Sequence, residues 1–259
     1  MGSRVVARLK ARGVMAVELG PASGIDLDSG SYWAAALHAV DVVIDVSEPI
    51  SPEESTDITD VLASASYNLV TGCARHGVRR LVVLTMAGIE ESIFGDVPYY
   101  VGKRVAKEIV LAGPVPATIV KSTQWHEFAT SPSAVTCGDD EVVVEDWLIQ
   151  PIAADVVADV VVEAGLAQTR APRIVTGPQP IRLPEPASKL LAAHDDQRRV
   201  RPVQPVTAGL AEGALLGRQN AMVLGPDVET WLNHQTAADP TASPALDPPS
   251  GLAFGERSK

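Results

Sequence analysis

Short apolar runs alternate with helix-like patterns through the first two-thirds of the chain. Within each run, successive positions are apolar, without the apolar–polar alternation that marks a half-exposed strand. Such runs are typical of strands in a parallel sheet that helices cover on both faces. The predicted strands are residues 14–19, 41–46, 79–84 and 116–121. Their alternation with helices predicts an α/β fold built on a doubly wound parallel sheet.

Helical periodicity is clearest in the stretch that precedes the third predicted strand. Apolar residues recur there every three or four positions and form one stripe, made of Ile58, Leu62, Ala65, Leu69 and Cys73. Gly77 is placed to end this helix. The preceding segment SPEE, residues 51–54, has the form of a capping box. Further helices are predicted at residues 3–12, 31–38 and 99–112.

After about residue 135 the alternation loosens, and the pattern predicts a smaller α+β lobe. Its predicted elements are strands at 141–152 and 173–177 and helices at 153–166, 184–194 and 227–234. The last residues are rich in Pro, Ala and Ser, which predicts disorder. The sequence therefore predicts three parts: a doubly wound domain at 1–135, a C-terminal lobe at 136–235 and a disordered tail at 236–259.

Composition narrows the possible partners. The chain has 32 acidic and 21 basic residues, for a net charge of −11. This balance argues against a nucleic-acid or anionic-membrane surface, which normally carries a basic patch. Two cysteines give neither a disulfide framework nor metal-ligand spacing, so the predicted location is cytoplasmic, with no metal. The expected partner is a small-molecule substrate, and the chain is expected to be a monomer or a homodimer.

The strongest chemical candidates are Tyr99 and Lys103, which lie one turn apart near the start of a predicted helix. A free phenol has a pKa of about 10, and a nearby ammonium group is expected to lower that pKa. Such a tyrosine can donate a proton to a carbonyl oxygen. Thr85, at the end of the preceding strand, could orient that carbonyl. The alternatives are that Tyr99 simply packs, Lys103 is solvated and Thr85 only ends its strand.

Other polar candidates also follow predicted strands. Ser47 could contact a cofactor phosphate or merely cap a turn. Gln124, Trp125 and His126 follow the strand at 116–121, and a polar cluster beside an indole suits a pocket for a ring. His126 alone would more often be structural than catalytic. These residues are the candidate substrate contacts, because open α/β sheets bind ligands at the carboxyl ends of their strands.

The first helix begins almost at Met1. A dinucleotide fold places its pyrophosphate over glycines between the first strand and the first helix. Here only Gly2 precedes the helix at 3–12. We therefore expect that a strand and further glycines are missing, either through a misassigned start or through truncation of the product. The alternative is an ordinary N-terminal helix with nothing missing.

Several segments, in this order, resemble the atypical short-chain dehydrogenase/reductases of the NmrA-like, NAD(P)H-binding type. The segments are GSRVVARLKARG, GPASGIDLDSG, AVDVVIDVS, GVRRLVVLTMAG, PYYVGKRVAKE, PATIVKSTQWHEF, LIQPIAADVVADVV and RIVTGPQPI. The resemblance implies a Rossmann-like domain with a small substrate lobe. It also implies binding of NAD or NADP and reduction of a small carbonyl or quinone-like molecule.

The resemblance also implies roles for individual residues. Gly2, followed by Ser3, would end the phosphate-binding loop, Ser47 and Thr85 would line the cofactor cleft, and Lys103 would hold the nicotinamide ribose. No arginine follows Gly20, where relatives that prefer NADP usually carry a basic residue, so the cofactor preference stays open. Two other functions stay open as well: a non-catalytic redox sensor that binds the dinucleotide, and an inactive truncated remnant.

Overall fold

The computed structural model describes residues 1–20, 36–49, 57–167 and 171–238, the last four of them without side chains. These residues form two compact units, each of them discontinuous in sequence. The first unit comprises Met1–Ser122 and Asp155–Val175, and the second comprises Thr123–Ala154 and the chain from Thr176. The helix and strand at 155–175, which the sequence assigned to the C-terminal lobe, thus lie in the first unit.

The described elements are short strands and helices in alternation. The strands are β1 (Val42–Asp45), β2 (Arg80–Met86), β3 (Ala117–Ser122), β4 (Val135–Cys137), β5 (Glu141–Glu145), β6 (Leu148–Ile149), β7 (Arg173–Thr176), β8 (Ile181–Arg182), β9 (Arg199–Val203) and β10 (Met222–Val223). The helices are α1 (Gly2–Ala11), α2 (Ile58–Arg75), α3 (Pro98–Ala112), α4 (Ala154–Leu166), α5 (Pro184–Ala193), α6 (Ala208–Ala211) and α7 (Val228–Ala238).

The first unit is built on a parallel sheet, as the apolar runs predicted. Its strands lie side by side in the order β1, β2, β3, β7, and every pair is parallel. Thr85 stands opposite Lys121 in the β2–β3 register. Strand β2 continues to Met86, so Thr85 is its penultimate residue rather than the residue that ends it. The carboxyl ends of β1, β2 and β3 therefore form one edge.

Helices cover both faces of this sheet, as expected for a doubly wound fold. Val43 packs against the core that α2 and α3 share with the strands. Its neighbour Ile44 faces α4, where a Cβ added to Gly165 would lie 2.9 Å from the Ile44 Cδ1 atom. Successive residues of a strand point to opposite faces, so α2 and α3 lie on one face and α4 on the other. Arg8 of α1 donates to Asp159 of α4 over 2.8 Å and thereby links those two helices.

Helix α2 begins later than the capping box suggested. Its N-cap is Asp57, whose carboxylate accepts a hydrogen bond from the Thr59 amide over 2.8 Å. The predicted capping box at 51–54 lies outside the described residues. The predicted apolar stripe is confirmed beyond its first position, because Leu62, Ala65, Leu69 and Cys73 are all buried. The predicted helix at 31–38 lies mostly outside the described residues.

The prediction of a strand at 14–19 is wrong. These residues are in no strand, and the Met15 and Val17 side chains are 98% and 68% exposed. An apolar run forms a strand only beside a neighbour that satisfies its backbone hydrogen-bonding groups. Among the described residues, no strand pairs with this segment or with the outer edge of β1. The pattern identified apolar residues correctly but could not supply their partner.

The second unit contains the small mixed lobe that the looser pattern predicted. Strand β5 pairs antiparallel with β4 and parallel with β9, while β6 and β8 form an antiparallel pair. The single strand predicted at 141–152 is divided into β5 and β6. Helix α7 extends to Ala238, so residues 236–238, predicted to be disordered, are helical, and 239–259 lie outside the described residues. No described helix has the length and apolarity needed to span a membrane.

Candidate functional site

A small cavity lies at the carboxyl edge of the first unit's sheet. Its volume is about 40 Å³, and Ser47, Thr85 and Lys103 line it together with Asp45 at the end of β1. Ser47 follows β1 and Thr85 is the penultimate residue of the neighbouring strand β2, which is why two hydroxyl groups 38 positions apart in sequence reach one cavity. The structure therefore brings together three of the side chains predicted from the sequence.

Helix α3 presents Tyr99 and Lys103 on one face. Pro98 is the first residue of the helix, a position that needs no backbone N–H donor. The Lys103 ammonium lies 5.5 Å from the centroid of the Tyr99 ring, within the range of a cation–π contact. The adjacent Tyr100 instead stacks on Phe94 with ring centroids 4.1 Å apart and is buried. Of the two consecutive tyrosines, Tyr100 belongs to the core and Tyr99 to the candidate site.

Close packing of α3 on α2 fixes where Lys103 lies. A Cβ added to Gly102 would meet Leu62 Cδ1 at 2.9 Å and Thr59 Cα at 3.0 Å. The Thr59 hydroxyl also donates to the Pro98 carbonyl over 3.2 Å, which joins the N-terminal ends of the two helices. The glycine before Lys103 thus allows an approach that a larger residue would prevent, and Lys103 is only 8% exposed.

Glu48 is the residue that the sequence analysis missed. Its Oε1 atom accepts from the Tyr99 hydroxyl over 3.0 Å, and its Oε2 atom accepts from the Lys103 ammonium over 2.6 Å. Glu48 follows Ser47 on the segment that leaves β1, so its place at the carboxyl edge could have been predicted. The signal was a carboxylate at the same predicted edge as the candidate ammonium group of Lys103.

The expected lowering of the Tyr99 pKa by Lys103 is wrong. Burial raises the pKa of Tyr99 above its ordinary value, and the negative charge of Glu48 raises it further, because both disfavour the phenolate. The Lys103 ammonium is neutralised by Glu48 and does not reverse these effects. In this arrangement Tyr99 holds its proton firmly and shares it with Glu48.

A second carboxylate lies at the same edge. Asp45 accepts from the Ser47 hydroxyl over 2.6 Å and from the Ser47 amide over 3.0 Å. Burial raises the pKa of Asp45, while these two hydrogen bonds and the charge of Lys103 act in the opposite direction. Ser47 therefore closes a turn on Asp45, which was one of the two roles expected for it, and its side chain also lines the cavity.

The N-terminal end of α1 lies beside the end of β1. A Cβ added to Gly2 would be 4.0 Å from Val46 Cγ2, an ordinary van der Waals contact. Gly2 and Ser3 form the first turn of α1, and that turn contains no acidic residue. A helix N-terminus with this composition can accept an anion, because its first amides and the helix dipole both favour negative charge.

The three predicted substrate contacts lie in the second unit. The Gln124 side chain is 6% exposed, and neither of its amide atoms has a hydrogen-bond partner within the part of the chain that the structure describes. His126 Nε2 lies 3.2 Å from the Pro226 carbonyl oxygen, and its ring packs against Trp231 at 5.0 Å. Burial lowers the pKa of His126, so the imidazole is neutral and donates from Nε2. Trp125 forms a parallel bridge with Ile152.

Within the described ranges, no group of three or more His, Cys, Asp or Glu side chains could hold a metal ion. Cys73 is fully buried and Cys137 is partly buried, and both are free thiols. The cavity edge therefore offers hydroxyl groups, carboxylates and the ammonium groups of Lys103 and Lys107 as its chemistry.

No protein-family model matches the chain, and no curated protein sequence matches it. Solved structures do. A short-chain dehydrogenase/reductase superfamily protein from Agrobacterium tumefaciens with bound NAD is 12% identical, with a TM-score of 0.64 over 92% of this chain and 93% of the other. UDP-N-acetylglucosamine 4-epimerase from Bacillus cereus is 11% identical, with a TM-score of 0.62 over 94% of each chain.

A third similar structure is a reductase. The triphenylmethane reductase of Citrobacter sp., complexed with NADP(H), is 15% identical, with a TM-score of 0.58 over 87% of this chain and 85% of the other. At such identities the likeness concerns the backbone alone. Together with the parallel sheet, these structures show that the chain has the Rossmann-like fold of short-chain dehydrogenase/reductases.

Proposed function

We propose that the chain is an NAD(P)-dependent oxidoreductase that reduces a small carbonyl or quinone-like substrate. One observation carries the proposal: Lys103 and Thr85 line one cavity at the carboxyl ends of β1 and β2, and Tyr99 lies one turn from Lys103 on the same helix. In open α/β sheets this edge is where ligands bind. The NmrA-like type, which the order of the sequence segments suggested, is part of the proposal.

The residues present fit a dinucleotide. The Lys103 ammonium and the Ser47 hydroxyl can bond ribose hydroxyls, and the first turn of α1, at Gly2 and Ser3, can receive the pyrophosphate. The NAD and NADP(H) bound in the similar Agrobacterium and Citrobacter structures support this assignment. Either NAD or NADP is compatible with these side chains.

The nicotinamide ring supplies or accepts the hydride when the cofactor is bound. The chain's own residues then have three tasks. The Tyr99 hydroxyl donates its proton to the oxygen of the substrate carbonyl. The Thr85 hydroxyl orients that oxygen, and Lys103 holds the cofactor and stabilises the phenolate that Tyr99 leaves behind.

Substrate contacts are proposed for Gln124, Trp125 and His126. The support comes from Gln124, because a buried amide without a partner among the described residues is costly unless a ligand or water satisfies it. A neutral His126 that donates from Nε2 also leaves Nδ1 as an acceptor. Such groups suit a polar substituent on a ring.

A second candidate function is a non-catalytic sensor that binds the dinucleotide in the same place. It is favoured by the raised pKa of Tyr99, whose proton Glu48 already accepts in a hydrogen bond. A tyrosine held in this way is a weak acid. Both functions require binding of the dinucleotide, but only the oxidoreductase turns over a substrate.

The test is nicotinamide-coupled turnover of NADH and NADPH across a panel of small aldehydes, ketones and quinones. We expect turnover with at least one of them, and we expect Tyr99→Phe to abolish it while Tyr67→Phe, on the exposed side of α2, leaves it unchanged. Binding of a dinucleotide without turnover would favour the sensor. Turnover that survives Tyr99→Phe would remove Tyr99 from the chemistry.

A further inference from the structure

One carboxylate holds both of the groups that the proposed reaction needs. Glu48 Oε1 accepts from the Tyr99 hydroxyl over 3.0 Å, and Oε2 accepts from the Lys103 ammonium over 2.6 Å. The two oxygens of one side chain thus bridge two residues a helical turn apart. All three residues belong to the first compact unit.

The bridge matters because it occupies hydrogen-bond donors that the ligands also need. A phenol has one O–H to donate, and Glu48 already accepts it. A substrate carbonyl needs that same hydrogen. Lys103 has three N–H donors, but its ammonium is buried and paired with a full negative charge, which is a stronger partner than a neutral ribose hydroxyl. A bound cofactor and substrate therefore compete with Glu48 for both residues.

Charge adds to this competition. A dinucleotide brings a doubly negative pyrophosphate to the edge where the Asp45 and Glu48 side chains already lie. Like charges in one partly buried site repel each other. Lys103 is the cation that faces Glu48, and it is already paired. With Glu48 in place, the positive charge of Lys103 is balanced by that carboxylate and is not available to an anionic ligand.

Glu48 is also placed to leave. Its side chain is 49% exposed, whereas that of Lys103 is 10% exposed. A half-exposed carboxylate can rotate into water and regain its hydration there, while the buried ammonium needs a new partner. Ligand hydroxyls can supply that partner once Glu48 has moved. Lys103 can therefore switch between two alternative partners, the Glu48 carboxylate and the hydroxyl groups of a ligand.

We propose that Glu48 is an internal competitor that closes the Tyr99–Lys103 pair in the free protein and must be displaced when NAD(P) and substrate bind. The inference rests on the proposed function, since it names the dinucleotide as the displacing ligand. It adds a residue that the reaction itself does not require. Glu48 sets how tightly the cofactor binds and when Tyr99 can donate its proton.

The first measurement needs no cofactor. Alkaline titration of phenolate absorbance is followed for the full chain, for Glu48→Gln and for Glu163→Gln, whose carboxylate forms an exposed ion pair with Arg173 in the same unit. Glu48→Gln should lower the titration midpoint of one tyrosine, and that change should vanish when Tyr99→Phe is added. Glu163→Gln should leave the titration unchanged.

The second measurement is fluorescence titration with NADH and with NADPH. Glu48→Gln and Glu48→Ala should each bind at least one of them about three- to tenfold more tightly than the unaltered chain, and Glu163→Gln should not. Glu48→Gln removes the charge at nearly unchanged size, whereas Glu48→Ala also shortens the side chain. The pair therefore separates the effect of charge from the effect of shape. Circular dichroism confirms that each variant is folded.

The outcomes separate the two proposals. If the titration midpoint of Tyr99 is the same in Glu48→Gln as in the unaltered chain, the proposal that Glu48 is an internal competitor is overturned. A dinucleotide affinity that is measurable but equal in the unaltered chain and both Glu48 variants overturns it as well. If the Tyr99 midpoint falls but no variant binds either dinucleotide, the proposed function is overturned, and with it the ligand assigned to this switch.

Discussion

Gly102 of α3 and Thr59 of α2 approach so closely that a Cβ on Gly102 would lie 3.0 Å from the Thr59 Cα atom. Backbone cannot give way as a flexible side chain can. We therefore expect Gly102→Ala to push the helices apart and to lower the free energy of unfolding by about 1–3 kcal/mol, in spite of the better helix propensity of alanine. Urea denaturation measures this change.

The matched control is Gly20→Ala, because a Cβ at Gly20 would meet no atom of the described residues within 4 Å. Its free energy of unfolding should stay within about 0.5 kcal/mol of the unaltered chain. Equal stability of the two variants would show that α2 and α3 can separate without cost. The site would then owe the burial of Lys103 to other contacts.

Lys103 is expected to carry much of the affinity for the cofactor. Lys103→Met keeps the length of the buried stem but removes the ammonium group, and it leaves Glu48 without its cationic partner. We expect NADH or NADPH to bind about tenfold or more weakly, since a charge-assisted hydrogen bond is lost and an uncompensated carboxylate remains. Fluorescence titration gives the dissociation constant.

An exposed lysine of the same unit serves for comparison. Lys10→Met, near the C-terminal end of α1, removes the same charge away from the cavity edge and should not change the dissociation constant. Equal weakening by both substitutions would mean that only the net charge of the unit matters. Lys103 would then lose its specific role.

Most of the site's framework could be predicted from the sequence, because it follows from periodicity. The apolar stripe of α2 and the spacing of Tyr99 and Lys103 on α3 are local patterns, and the structure keeps both. Helix α3 begins at Pro98, one residue from the predicted start. Strands β1 and β2 are parallel, so their carboxyl ends lie at the same edge of the sheet. This places Ser47 and Thr85 together.

The features that could not be predicted from the sequence depend on contacts between residues that are distant in the chain. Glu48 and Lys103 are 55 positions apart, and nothing local distinguishes Glu48 from a solvated turn residue. The wrong direction for the Tyr99 pKa has a related origin, because burial raises that pKa most and the unforeseen charge of Glu48 raises it further. The strand assigned to 14–19 is wrong because no strand of the described residues pairs with it, although its residues are apolar.

His126 makes stability depend on pH. Burial lowers its pKa below the ordinary 6.5, while the Pro226 carbonyl and the charge of Asp227 act in the opposite direction. Above pH 6.5 the imidazole is neutral in both states, and its contribution is complete. Below that pH the unfolded chain binds the proton first, so stability falls until the native pKa is reached.

We therefore expect the free energy of unfolding to drop on going from about pH 7.5 to pH 5.5, with a contribution from His126 of at most about 1.4 kcal/mol per pH unit. His126→Asn should flatten this part of the profile, whereas His38→Asn, at an exposed position, should not. Urea denaturation at a series of pH values measures the slope. An unchanged slope in His126→Asn would contradict a buried neutral imidazole.

Cys73 is expected to be inert toward thiol reagents in the folded protein. Its side chain lies on the buried face of α2 and is fully buried, and burial raises the pKa of the thiol to about 12. At about pH 8 only roughly one molecule in ten thousand then carries a thiolate, which is the reactive form. Cys137 is partly exposed and should react first.

A chromogenic disulfide reagent should therefore titrate one thiol rapidly in the native chain and the second only after denaturant is added. Cys137→Ser should remove the rapid phase, and Cys73→Ser should retain it. Two thiols that react equally fast without denaturant would contradict the packing of α2 on the sheet. Because Leu69 and Cys73 lie on the same buried stripe as Leu62, which contacts Gly102, that result would also question how α3 is positioned at the site.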